Sequence, residues 1–130
     1  MKIVICRSNR HSESALRCAN VLKECGLDVH CPERVAGTEA WKEMSEAGRR
    51  LIIQKLVDDH FRAIDESDAV LVFNKGGYIG ASVNIEIGYA VAKEKRVFTI
   101  EADDDPLRSI LFEGIAETPE KLVDSLRASR

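Results

Sequence analysis

Ala69-Val70-Leu71-Val72-Phe73-Asn74-Lys75-Gly76-Gly77-Tyr78-Ile79-Gly80-Ala81-Ser82 is the stretch on which the fold turns. Its first five residues are apolar without alternation, which predicts a strand buried on both faces. The Gly-rich segment that follows is a loop, and a helix is expected from about Val83 to Lys93. A second apolar strand, Arg96 to Ile100, comes next. Strand, loop, helix and strand in this order form a crossover unit, and such crossovers are right-handed.

The same alternation extends in both directions. Upstream, Lys2 to Cys6 reads as a buried strand rich in β-branched residues. Ser12 or Ser14 is expected to cap a helix whose apolar positions are Ala15, Cys18, Ala19, Leu22 and Cys25. Gly26 supplies a left-handed stop. Leu27 to Cys31 is a second strand, ended by Pro32. Residues 33–41 form a polar loop, and a long helix is predicted from about Trp41 to Asp65. Its buried stripe is Ile53, Leu56, Val57, Phe61 and Ile64. Downstream, the loop Glu101-Ala102-Asp103-Asp104-Asp105 reads as solvated. A short helix is expected over Leu107 to Phe112, and a fifth short strand over Gly114 to Ala116. Thr118-Pro119-Glu120 opens a last helix running to about Ala128.

Strands alternating with helices imply a doubly wound, three-layer α/β/α fold with a parallel sheet, flavodoxin-like or Rossmann-like. The 130 residues fit one domain, residues 1–130. Hydrophobic residues make up 45% and charged residues 32%, the balance of a globular chain rather than a disordered one. A net charge of −3 gives no basic footprint for a polynucleotide. No apolar run approaches the ~20 residues that span a bilayer. The first residues are too short for a signal peptide, so a cytoplasmic location is expected. Cys6, Cys18, Cys25 and Cys31 include no C-x-x-C pair and read as buried small hydrophobes. His11, His30 and His60 show no ligand spacing, so neither a metal nor a cofactor is expected.

Ligands of such sheets sit beyond the carboxyl ends of the strands. Two segments there carry the candidate chemistry. Arg7-Ser8-Asn9-Arg10-His11-Ser12 precedes a helix N-terminus, where free N–H groups and the dipole favour an anion. Arg7, Ser8, Asn9 and Arg10 suit phosphate oxygens, and a plain polar loop is the alternative reading. The second segment runs from Gly76 through Glu86 to Ala90. Gly77 and Gly80 permit close ligand approach, and Tyr78 could stack on a flat base. Ser82 stands at the start of the helix. Glu86 is expected in its first turn or so, between Ile85 and Ile87. A carboxylate there either complements the dipole or, held ionised, serves as a nucleophile toward a sugar C1. Tyr89, three residues on, could hydrogen-bond it or simply pack.

Asp68-Ala69-Val70-Leu71-Val72-Phe73-Asn74, then Tyr78-Ile79-Gly80, then Glu86-Ile87-Gly88-Tyr89-Ala90 resembles the nucleoside 2-deoxyribosyltransferase-like family, which includes nucleoside 5′-monophosphate N-glycosidases. Lys95-Arg96-Val97 matches the family's approach to its next strand. The resemblance covers about residues 60–100. It implies a five-stranded parallel sheet and covalent chemistry at an N-glycosidic bond, with Glu86 as nucleophile. It further implies that Ser8, Asn9, Arg10 and Ser82 bind a 5′-phosphate, that Asn74 lies near the base, and that the subunits assemble as a homo-oligomer, dimer or higher. The expected partner is a small nucleoside or nucleotide, not a polynucleotide or a membrane. Two alternatives are a non-catalytic nucleotide-sensing module and an NAD-cleaving glycohydrolase.

Overall fold

The computed structural model describes residues 1–128. Its centre is a sheet of strands β1 (Lys2–Arg7), β2 (Asp28–His30), β3 (Ala69–Phe73), β4 (Arg96–Thr99) and β5 (Gly114–Ile115). All neighbours run parallel, in the order β2-β1-β3-β4-β5. This is the doubly wound order that reverses at β1 and β3. Those two strands share the longest register, from Ile3 opposite Ala69 to Arg7 opposite Phe73.

The side-chain period of two divides each strand between two cores. Ile3, Ile5, Leu71 and Phe98 face one side, packed on Ala15, Ala19 and Leu22 of helix α1 (Ser12–Glu24) and on Leu122 and Leu126 of the C-terminal helix. Val4, Cys6, Val70, Val72 and Val97 face the other side. They meet Ile64 of the long central helix and Val83, Ile87 and Ala90 of the helix after β3. Gly26, at φ +88°, ends α1 in the left-handed conformation expected of it.

Several boundaries differ from the expectation. The long helix is two: α2 (Glu39–Glu43) and α3 (Glu46–Glu66). Each has its own hydroxyl cap. Thr38 accepts from the Trp41 N–H, and Ser45 accepts from the Gly48 N–H. Of the proposed α3 stripe only Ile64 is fully buried, while Ile53 and Val57 are exposed. The N-terminal half of α3 therefore overhangs the sheet. Ser12 and Ser14 do not cap α1, whose first turn follows a 3-10 turn at Asn9–His11. Helix α4 spans Ala81–Ala92, starting two residues earlier than expected. The next helix is one turn, α5 (Pro106–Ser109), capped by Asp105. The acidic loop is not solvated throughout: the Asp103 side chain is only 3% exposed and accepts from Arg108 Nε at 2.6 Å. Thr118 caps the last helix, α6 (Pro119–Arg127), as expected.

Candidate active site

Glu86 lies at the sixth position of α4, at the end of the second turn rather than in the first. The helix dipole is weak at that depth. Direct partners take its place. Glu86 Oε1 is 3.1 Å from His60 Nε2, with the two side chains 17% and 7% exposed. The same ring nitrogen lies 3.3 Å from the Sγ of Cys6, which is wholly buried. Burial, and after it the charge of Glu86, pushes the Cys6 thiol well above its ordinary pKa. One atom each from β1, α3 and α4 thus comes within 4.8 Å of the others, and the carboxylate points toward buried side chains.

Sequence reasoning missed His60 and Cys6 as parts of this site. A signal for each was present. His60 stands four residues before Ile64, so it shares the buried face of α3. Cys6 stands two residues after Val4, which puts it on the sheet face under α3 and α4.

One turn nearer the start of α4, Ser82 stands above Glu86 on the same helix side, four residues away. Ser82 lines a hollow of about 520 Å³ together with Arg7, Ser8, Asn9, Arg10 and Tyr78. This hollow lies at the carboxyl ends of β1 and β3, where the sheet order reverses. The α4 N-cap is Gly80, which has no side chain to satisfy the first N–H groups. Ser8 Oγ is buried and lacks a hydrogen-bond partner among the described residues. Helix-start N–H groups, a hydroxyl and Arg10 are donors of the kind that suit an oxyanion. A larger, mostly apolar cleft of about 780 Å³ opens on the other core, between α1 and the start of α6. None of the residues around Glu86 lines it, so size alone does not mark the chemistry.

The remaining candidates divide. Arg7 is buried and knits two loops, donating to Asn9 Oδ1 at 3.1 Å and to the carbonyl of Pro32. Arg10 stacks on Tyr78, its guanidinium carbon 3.7 Å from the ring centroid. The ring face offered to a base is thus covered on one side. Gly77 takes φ +79° within a 3-10 turn, whereas Gly80 has an ordinary negative φ and room for a Cβ. Asn74 is wholly buried, and its side chain is engaged within the fold. Its amide donates to the Glu101 carbonyl and accepts from the N–H groups of Ile100 and Glu101, clamping the end of β3 to that of β4. Tyr89 does not reach Glu86 either. Its ring stacks on Phe61, with centroids 4.5 Å apart, and its hydroxyl donates to Asp65 at 2.7 Å. The Asp65 carboxylate raises the Tyr89 pKa.

The fold is shared with solved structures along nearly the whole chain. A conserved protein from Enterococcus faecalis V583 superposes with a TM-score of 0.67 at 16% identity, covering 98% of this chain and 97% of that one. A 2-deoxyribosyltransferase from Bacillus psychrosaccharolyticus gives 0.64 at 14% identity, covering 99% and 93%. A Clostridium botulinum CMP N-glycosidase, BcmB, gives 0.56 at 19% identity, covering 97% and 98%. No family model matches the chain, and no curated protein matches it. At these identities the likeness establishes a common fold, the five-stranded parallel α/β/α sheet.

Proposed function

We propose that this chain is a nucleoside 2-deoxyribosyltransferase-like enzyme. In this reading it breaks or exchanges the N-glycosidic bond of a nucleoside or nucleoside 5′-monophosphate. The observation that carries the reading is the setting of Glu86. Its carboxylate is turned inward against His60, one helical turn from a hollow suited to an anion. The same fold in a 2-deoxyribosyltransferase and a CMP N-glycosidase supports it.

The chemistry follows from that setting. A Glu86 oxygen attacks C1′, the C1′–N bond breaks, and its electron pair leaves with the base, which takes a proton from solvent. Water, or a second base, then attacks C1′, gives up its proton to solvent and frees the carboxylate, so configuration is retained over two inversions. His60 acts as a positioning residue, holding Glu86 Oε1 from its ring nitrogen. Ser8, Asn9, Arg10 and Ser82 hold the 5′-phosphate, aided by the open N–H groups of α4. These steps use no cofactor. A second copy of the chain is the expected partner, because Leu51, Ile53 and Val57 of α3 and Ile85 of α4 are exposed apolar residues.

The test is chromatography of free base from a panel of ribo- and deoxyribonucleosides, their 5′-monophosphates and NAD. Glu86→Gln and Glu86→Ala should lower release by ~10³-fold or more. Release at the wild-type rate by both variants would remove Glu86 from the chemistry. The Arg10 stack over Tyr78 favours a second reading, a nucleotide sensor in which that ring is not a base platform. Tight nucleotide binding by calorimetry, with no free base after long incubation, would support the sensor.

A further inference from the structure

We propose that Cys6, His60 and Glu86 form a binding site for a thiophilic divalent transition metal, Zn²⁺ being the representative ion. Cys6 Sγ, His60 Nε2 and a Glu86 carboxylate oxygen all lie within 4.8 Å of one another. Two of the separations are 3.1 and 3.3 Å. Zn²⁺ bonds of ~2.0–2.3 Å to nitrogen, oxygen and sulfur place tetrahedral ligands roughly 3.3–3.8 Å apart. Each of those two pairs therefore needs to open by only a few tenths of an ångström to admit the ion, and the third stays within the 4.8 Å bound. Thiolate, imidazole and carboxylate together form a donor set that zinc accepts and that magnesium or calcium does not favour.

The three ligands come from three different elements, β1, α3 and α4, each fixed by its own core contacts. The site is thus held by the fold before any ion arrives. Cys6 and His60 are buried, while Glu86 keeps a partial opening to solvent. An ion would arrive from the exposed side of Glu86, with water completing its coordination there. Binding balances simply. The thiol proton is released to solvent, the imidazole proton resides on Nδ1, and the cation takes the positions those protons held between the ligands. The His60 Nδ1 atom is buried with no hydrogen-bond partner among the described residues, so it is free to carry that proton, and the Nε2 contact to Glu86 is exchanged for the bond to the metal.

One consequence rests on the proposed function. A metal on Glu86 occupies the oxygen that would attack C1′, so the loaded protein should not release base. The metal site itself is tested without reference to activity. Metal-free protein is titrated with Co²⁺ alone and followed by absorbance, then with Zn²⁺ alone by calorimetry. The expected result is saturation at one ion per chain, with thiolate-to-cobalt absorption in the near ultraviolet and visible bands of tetrahedral intensity. Cys6→Ser should abolish the near-ultraviolet band and weaken binding by roughly tenfold or more. His60→Gln, checked for folding by circular dichroism, should weaken binding while keeping the thiolate band. Cys31→Ser should change neither. Uptake by Cys6→Ser and His60→Gln equal to that of the wild type would overturn the assignment. So would a thiolate band that follows Cys31. A metal-free protein that binds Co²⁺ as described but never releases base would overturn the catalytic reading and leave the metal site standing. One that releases base through Glu86 but takes up no metal would do the reverse.

Discussion

Asn74 carries more of the fold than its place in a glycine-rich loop suggests. It is wholly buried, and its amide satisfies one carbonyl and two N–H groups at the end of β4. Asn74→Ala would take the acceptor away from the Ile100 and Glu101 N–H groups, while the Glu101 carbonyl keeps the Thr99 hydroxyl. The expected cost is about 1–3 kcal/mol, measured by urea denaturation. A loss of nucleotide affinity without loss of stability would instead make Asn74 a ligand contact. This residue was legible as important but not as structural, because its partners lie 26 and 27 positions away. Glu86 was legible from its apolar neighbours Ile85 and Ile87. Its partner His60 was not, since a histidine within an amphipathic helix has no local motif. Only the packing of α3 on α4 decides what the ring meets.

At the scale of elements, caps explain where the boundary expectations succeeded and failed. Thr118-Pro119 announced α6 because cap and proline reinforce each other. Ser45 lies inside an apparently continuous helical pattern that hides its role, although its hydroxyl starts α3. Ser45→Ala should destabilise the protein by ~1 kcal/mol in thermal or chemical unfolding. No change would mean that the break between α2 and α3 is held by packing instead. The loop after β4 has its own anchor. The Arg108 guanidinium holds the buried Asp103 carboxyl below its usual range, against the opposing effect of burial. A depressed folded value means that this contribution is complete above the unfolded carboxylate pKa of ~3.9 and is lost as pH falls through the folded value. Stability measured from pH 7 down to pH 3 should therefore drop in the acid limb for the wild type. Asp103→Asn should lower stability at pH 7 and flatten that limb. A variant with an unchanged acid limb would refute the role of this pair.

Across the whole molecule, the strand order 2-1-3-4-5 places the reversal between β1 and β3. The alternation of strands and helices made the layers readable from sequence, and the crossover rule directed the search for a site to the strand ends. The overhang of α3 was not readable, because Ile53 and Val57 keep a helical apolar spacing whether they face a core or another chain. The wild type is expected to sediment as a dimer or larger, and Leu51→Asp combined with Ile85→Asp to sediment as a monomer. Identical masses for both would exclude this face as the contact. Hollow, helix start and inward carboxylate act together only if a sugar becomes bonded to Glu86. The most direct measurement uses a nucleoside 5′-monophosphate with fluorine at C2′, which slows the second step and lets the ester accumulate. Peptide mapping by mass spectrometry should then find the fluorinated sugar phosphate on the segment containing Glu86, and no label in Glu86→Gln. Base released with the sugar attached to another residue, or to none, would contradict the account.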